Sequence, residues 1–541
     1  MARQIKAILV NPPIAIARLG ASSTPMDSFR WIDSPDAHLQ TVIAPDWTLD
    51  VDLNGGLNPR MPEELLFRDG NAYRPVAPFF ELWALVSEGP GDPHWTALTQ
   101  ALFDEAGGTG FTLTVDARNS KAARRARNPD LEFGTFPPVV IGSGDHSPTQ
   151  LIGTSPMGIA RPLIPRDAPG IPLGSVQILR TQNQPTPGST PWALEVDVEV
   201  IRFRFTPAKG IFYGARGSEN ISENGFAPVE EQNAFLDPGA GWVGTGLTPW
   251  VEPADTFDGA ETPSQRSMGI VDDTCSALVT VSLNLRGAPQ PLIARSSVFV
   301  APPDFAPDRR PFLSLADEIN DRVTQSAPAL TGADLEAWVR DLFERVYETV
   351  SLMNVDNYRA QRAAALEPEG IADQPIAGDQ VPDDPQQPRA MGPSDKLRRP
   401  NLPISEATSD RPLPISERAR ERHRDLAEVD DLIDLVKSQN DRISGLVRAP
   451  FTVAPNEDGN QSTMQMPPFM RNSNALPLTI ANWQYKLLQQ WVADVVAGKI
   501  TVAARSRAAA LTVAPAGPLS SARVRSAQAR QQQVLRRLGR S

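Results

Sequence analysis

Four consecutive residues, Asp272-Asp273-Thr274-Cys275, bring two carboxylates, a hydroxyl and the only thiol of the chain together. Paired carboxylates can tie a turn, bind a cation, or divide the work of acid and base between them. With Asp304 further along, Asp272 and Asp273 are the candidate residues for carboxylate- or metal-based chemistry, around a bound cation. The same pair works against the thiol. Like charge disfavours a thiolate, so Cys275 is a poor nucleophile and reads as a small buried strand residue. Two adjacent Asp before an apolar run also suit an Asx-type turn that opens a strand.

Other reactive-looking patches fail on spacing or context. Gly142-Ser143-Gly144-Asp145-His146-Ser147 holds Ser, Asp and His, but neighbours in sequence rarely form a triad, and no Gly-x-Ser-x-Gly elbow is present. It reads as a loop with an Asp/Ser turn. Gly239-Ala-Gly241-Trp-Val-Gly244-Thr-Gly246 is glycine-rich, yet Pro249 breaks the chain where a phosphate cradle needs a helix. The four histidines (His38, His94, His146, His423) are scattered, with no metal spacing, and His423 sits among charges. A single cysteine excludes an intrachain disulfide and Cys-rich zinc or iron–sulfur sites, and leaves a cytoplasmic location as the expectation.

These residues need a scaffold, and the composition says which kind. The 541 residues suffice for two to four domains at roughly 100–200 residues each. With 53 prolines, 37 glycines and no Gly-X-Y period, the chain reads as a turn-rich β protein with a Pro-rich linker. Short runs with period-2 alternation predict strands at Phe79–Val86, Phe111–Val115, Trp192–Phe205 and Ala277–Leu285. In the third, Val196, Val198 and Val200 would share one face and Glu195, Asp197 and Glu199 the other. The fourth ends at Arg286-Gly287, a turn signal. Long proline-rich loops are expected over 128–191 and 206–266. At the start, Arg3, Lys6 and Ala15-Ile16-Ala17 imitate a signal peptide. However, Asn11-Pro12-Pro13 cuts the apolar run Ala7–Val10, so a buried strand and turn are expected instead. No run nears the roughly 18 apolar residues of a membrane helix.

Helical texture follows. Ser314–Val323 predicts a short helix; Asp334–Arg359, Ser416–Arg448 and Thr479–Val496 predict amphipathic ones. Residues 366–415 hold ten prolines and many acids, a linker composition. The tail reverses the charge. Residues 495–541 carry nine basic residues and no acid, so a chain of net −12 is a −21 body with a +9 tail. Aromatics for stacking are absent there, so nucleic acid is not the expected partner; docking to an acidic body, a protein partner or a homo-oligomer is. The expected fold class is α+β: a β-rich N-terminal part of sandwich-like antiparallel sheets with long Pro/Gly loops, and a mainly α-helical C-terminal part. The expected divisions are 1–312 (β-rich domain), 313–365 (helical segment), 366–415 (linker), 416–496 (helical domain) and 497–541 (basic tail).

Several segments, in order, resemble the LodA/GoxA-like family of lysine ε-oxidases and glycine oxidases. Asn11-Pro-Pro-Ile-Ala-Ile-Ala-Arg18-Leu19-Gly20-Ala-Ser22 resembles the family's opening; Phe67-Arg-Asp69 and Val76-Ala77-Pro-Phe79-Phe-Glu-Leu82 resemble its next strands. Val271–Ser276, then Val298-Phe-Val-Ala301-Pro302-Pro303-Asp304-Phe305-Ala306-Pro307-Asp308, resemble a D-D turn followed by P-P-D-F-A-P. Met466-Pro467-Pro468, with Leu478-Thr479, Gln484-Tyr485, Leu488 and Trp491, resembles a late block. The resemblance implies a cysteine tryptophylquinone built from the chain and oxidation of primary amines to aldehyde, ammonia and peroxide. The chain departs at that chemistry: residues 320–465 hold no cysteine, and Cys275 lies in the block matching the family's N-terminal domain. No cofactor is therefore expected, and Cys275 enters one only through an atypical crosslink. The expected function is a non-catalytic binding or assembly subunit. An amine oxidase and an enzyme using Asp272, Asp273 and Asp304 around a cation stand as alternatives.

Overall fold

The computed structural model describes residues 3–33, 41–87, 93–119, 137–158, 162–216, 229–237, 271–303, 311–323, 327–350, 450 and 480–500. They fall in two compact units, one up to 303 apart from the stretch 31–42, the other made of that stretch and the described residues from 311 onward.

The first unit is β-rich. Strands β1 (Gln4–Asn11) and β2 (Ile14–Arg18) are followed in the chain by the short strands β3 (Phe29–Asp33) and β4 (Thr41–Pro45), which straddle the division between the units. Two small hairpins come next, β5 (Thr48–Val51) with β6 (Leu57–Arg60) and β7 (Arg68–Asp69) with β8 (Ala72–Tyr73). Then come β9 (Phe79–Ser87), β10 (His94–Ala97), the short helix α1 (Gln100–Glu105), β11 (Gly108–Arg118), β12 (Val139–Gly142), β13 (Thr149–Gly153) and β14 (Ile171–Ile178). The unit ends with β15 (Arg202–Pro207), β16 (Phe212–Ala215), β17 (Ala234–Leu236), β18 (Val271–Asp272), β19 (Ser276–Leu285) and β20 (Leu292–Ala301).

Two sheets face each other. The first runs β1-β9-β15-β14-β13, with β10 also on β9; the second runs β12-β11-β19-β20-β2. Their inner residues form one core, in which Phe80, Leu82 and Ala84 of β9 meet Leu113, Val115, Val279 and Val281 of β11 and β19. Phe80 stacks on Phe203 at 4.8 Å between centroids. The pairing is antiparallel except at the edge, where β2 lies parallel to β20. The reason is the crossing at Asn11-Pro12-Pro13, which carries the chain from the first sheet to the second. The predicted buried first strand is therefore present as β1, and Gly287 makes its turn at φ +79°. Gly20, in the Arg18-Leu-Gly motif, lies against the backbone of the segment after β8: a Cβ there would stand 2.5 Å from Pro75 N. Only glycine permits that approach.

Two sequence expectations fail here. The strand predicted over Trp192–Phe205 begins only at Arg202; residues 192–195 are turn. A side chain takes the place of a neighbouring strand. Gln184 Nε2 donates to the carbonyls of Ala193 and Val196, and its Oε1 accepts from Val198 N–H. Val198 and Val200 are still buried, which is why the alternation imitates a strand. Nor is 128–191 simply loop: it contains β12, β13 and β14, and 206–266 contains β16 and β17. Pro172 sits in β14 beside the register shift at Leu151/Ile152, where a missing N–H is tolerated.

The second unit holds α2 (Leu315–Val323), α3 (Gly332–Val350) and α4 (Asn482–Val496). Ser314 and Asp317 cap α2 reciprocally: Ser314 N–H donates to Asp317 Oδ2, and Asp317 N–H to Ser314 Oγ. Asp321 accepts from the N–H groups of Asn482 and Trp483, satisfying the first turn of α4. Leu335, Val339, Leu342 and Phe343 pack on Trp483, Leu487, Leu488 and Trp491. The predicted linker 366–415, the helix at 416–448, the glycine-rich stretch 239–246 and all but residues 497–500 of the basic tail lie outside the described residues. Among the described residues, no helix is long and apolar enough to cross a membrane.

Candidate functional site

The Asp272-Asp273-Thr274-Cys275 turn lies between β18 and β19, and β18 pairs with β16 through Phe212–Asp272 and Tyr213–Val271. Asp272 closes an Asx turn. Its Oδ1 accepts from Thr274 N–H at 3.3 Å and Thr274 Oγ1 at 2.5 Å, and Asn119 Nδ2 donates to its carbonyl. Asp273 points the other way, into the protein, and is 1% exposed. Its Oδ2 accepts from the N–H groups of Gly210 and Ile211, both at 3.0 Å. Gly210 presents its amide from φ +85°, a conformation that favours glycine. Asp273 Oδ1 is buried with no hydrogen-bond partner among the described residues.

Burial first, and the Asp272 charge second, push the Asp273 carboxyl up to about 6, against the pull of the two backbone amides. Burial, assisted by Asp273, raises the Tyr213 hydroxyl to about 12. The same causes raise the Cys275 thiol to about 12. Cys275 is 4% exposed, and its Sγ donates to the Leu173 carbonyl at 3.4 Å. The structure thus gathers Asp272, Asp273, Cys275 and the unforeseen Tyr213. Asp304 lies outside the described residues. Chemically, the cluster can hold a proton on Asp273 near neutral pH; it offers no thiolate. Among the described residues, no group of three or more His, Cys, Asp or Glu side chains could hold a metal ion.

A tryptophylquinone would have to form at Cys275, the only thiol of the chain. The crosslink needs a cysteine sulfur against a tryptophan ring, and the described core around Cys275 contains no tryptophan. Trp483 and Trp491 belong to the helical unit's own core. There Trp483 Nε1 donates to the Asp317 carbonyl and Trp491 Nε1 to Glu336 Oε2. The 142–147 loop bonds to itself and to a neighbouring strand. Asp145 Oδ1 accepts from Ser147 N–H, and His146 Nδ1 lies 3.1 Å from the Ile178 carbonyl. His94 is exposed in β10, and His38 and His423 lie outside the described residues.

One charged cluster carries no sequence signal. Asp27, 5% exposed, is gripped by Arg60 and by Arg74 Nη1 at 3.2 Å. Arg60 Nε also reaches Asp50 at 2.6 Å, and Arg74 Nη2 reaches Asp69 at 2.6 Å. Ser22 donates to Asp69 and, with Arg74, holds that carboxyl below its ordinary range. Beside them, Arg204 lies over the Phe79 ring with its guanidinium 4.8 Å from the centroid, and burial lowers it to about 10. The partners are 5–47 residues apart, so no local spacing announces them.

No protein-family model matches the chain, and no curated protein matches it. Among solved structures it is similar to the L-Lys epsilon-oxidase from Marinomonas mediterranea and to that enzyme's Schiff base intermediate with L-Lys. Each match has 13% identity and a TM-score of 0.34, over 64% of this chain and 45% of the other. The chain therefore spans less than half the length of the oxidase it is similar to.

Proposed function

We propose that this chain is a LodA-like protein without a tryptophylquinone that works as a non-catalytic binding or assembly subunit with a protein partner. One observation carries the reading: its only thiol is buried, protonated and hydrogen-bonded to a carbonyl in a core where no tryptophan is described. An amine oxidase on the same scaffold rests on the sequence resemblance alone. The basic stretch 497–541 is the proposed docking segment for an acidic partner, because its +9 contrasts with a −21 body. The test is intact mass and absorbance of the purified chain, with peroxide release measured against a panel of amino acids and primary amines. An unmodified mass, no visible band and no peroxide are expected. A mass deficit with a quinone band, or peroxide release, would overturn the reading.

A second reading is favoured by the orphan Oδ1 of Asp273. A buried carboxyl near 6 is a suitable acid–base group, so carboxylate chemistry at this turn is the alternative. Loss of a measurable turnover in Asp273→Asn, with folding retained, would support it.

A further inference from the structure

We infer that the outer face of the second sheet, β12-β11-β19-β20-β2, is the interface between two copies of this chain. This goes beyond the proposed function, because catalytic and non-catalytic chains could both pair in this way. Of the thirteen large apolar side chains exposed among the described residues, five lie on this one face: Val140, Ile293, Ile16, Phe299 and Leu278, at 41–66% exposure. They alternate along their strands with the buried residues of the core, so the pleat itself directs them outward. Large exposed apolar patches on a folded protein mark interaction surfaces.

The rest of the face suits a protein contact better than water. Its five strands contain no lysine and no glutamate, the side chains that usually guard an open sheet. Between the apolar residues stand Ser276, Ser297, Thr112, Thr114, Thr280 and Ser282. The outer face of the first sheet is different, being covered by the chain itself. There Gln177 donates to the carbonyls of Asp52 and His146, and Arg202 pairs with Glu81 and the Asp197 carbonyl.

Size and register both select a second copy as the occupant. The forty residues of the five strands offer roughly 630 Å² of flat sheet, at about 3.3 Å by 4.8 Å per residue. Stable pairs bury roughly 600–1,000 Å² per partner. The face is also complementary to itself about a two-fold axis along β19, the central strand. That axis lays β11 over the second copy's β20, and β12 over its β2. In the observed register Arg118, Ser276, Phe299 and Ile16 form one row, and Asp116, Leu278, Ser297 and Ile14 the next. Arg118 then covers Phe299 of the second copy, a cation over an aromatic face. Asp116, paired with Arg118 of its own chain at 2.9 Å, comes within one pair of the second copy's Arg295, and Val140 lies one pair before the second copy's Ile14. Leu278 meets its own equivalent at the axis, as an isologous interface requires. A net charge of −12 would hold two copies apart over most of their surfaces; this face carries one carboxylate and three guanidiniums, Arg18, Arg118 and Arg295.

Sedimentation velocity on the full chain, from about 1 to 100 μM, tests the inference. A dimer is expected whose Kd rises at least about tenfold in Phe299→Lys, which sets a second cation against Arg118. Leu278→Lys should do the same, and the far-ultraviolet circular dichroism spectrum should be unchanged in both, since these positions are exposed. Removing 497–541 should leave the dimer intact, which separates this interface from the tail docking proposed above. In L278C, a short bismaleimide should join two chains, whereas the same reagent on L194C should not. A chain that is monomeric throughout overturns the inference. So does a dimer that survives both charge substitutions, or one that is lost with the tail.

Discussion

Replacing Asp273 by Asn should remove a pH dependence that the wild-type chain displays. The folded chain holds this carboxyl near 6 against an ordinary value of 3.8. A raised acid binds its proton more tightly in the folded state than in the unfolded one. The stability it contributes is therefore complete below about pH 4 and is lost as pH rises through about 6. At 1.36 kcal/mol per pKa unit, the loss is about 3 kcal/mol. Asparagine keeps the shape and can still accept from Gly210 and Ile211 through its carbonyl oxygen, but it does not ionise. The assay is urea unfolding of both proteins from pH 4 to 7.5, with hydrogen exchange at the Gly210 and Ile211 amides as a local readout, since a chain of two units need not unfold in one step. The wild type should lose about 3 kcal/mol relative to Asp273→Asn across that range. A constant difference between the two would refute the assignment of a buried, proton-holding carboxyl.

Other substitutions test the packing around the site. Arg74→Ala leaves Asp27 buried with one guanidinium instead of two, and should cost about 3 kcal/mol by urea denaturation; a loss under about 1 kcal/mol would show the pair to be dispensable. Gln184→Ala removes three hydrogen bonds to the 193–198 segment and should lower protection of the Val198 amide by about 2–3 kcal/mol, leaving that of β9 unchanged. Trp491→Phe keeps the ring but loses the bond to Glu336, so exchange protection in α4 should fall by about 2 kcal/mol.

Strands β9, β11 and β19 were legible because each buries every second side chain against the opposite sheet, and a period of two survives in the sequence. Residues 193–201 carry the same alternation without forming a strand. Their partners include the Gln184 side chain and single backbone bonds to Gln182, Gln100 and Leu98, and no periodicity can report that. Prolines misled in the opposite direction, since the composition of 128–191 hides three strands whose prolines fall at ends and register shifts. The Asp272-Asp273 pair was visible at once, but the different tasks of its two members were not. Asp272 bonds two residues ahead, a local pattern. Asp273 is defined by amides 62 and 63 residues earlier, and only the pairing of β16 with β18 brings these together. The arginine cluster around Asp27 was illegible for the same reason.

The crossing at Asn11–Pro13 also sets a timetable for synthesis. Among the described strands β2 pairs with β20 alone, apart from one bridge of Arg18 with Val76, and Ser296 Oγ reaches back 284 residues to the Pro12 carbonyl. At about 5–20 residues per second, the ribosome needs roughly 15–60 s between making the two strands. Throughout that interval Ile14–Arg18 emerges with its hydrogen-bonding edge unfilled, while β1 can already wait for β9. A nascent chain stalled before Leu292 should therefore expose β2 to proteases and holdase chaperones, and release beyond Ala301 should close that edge.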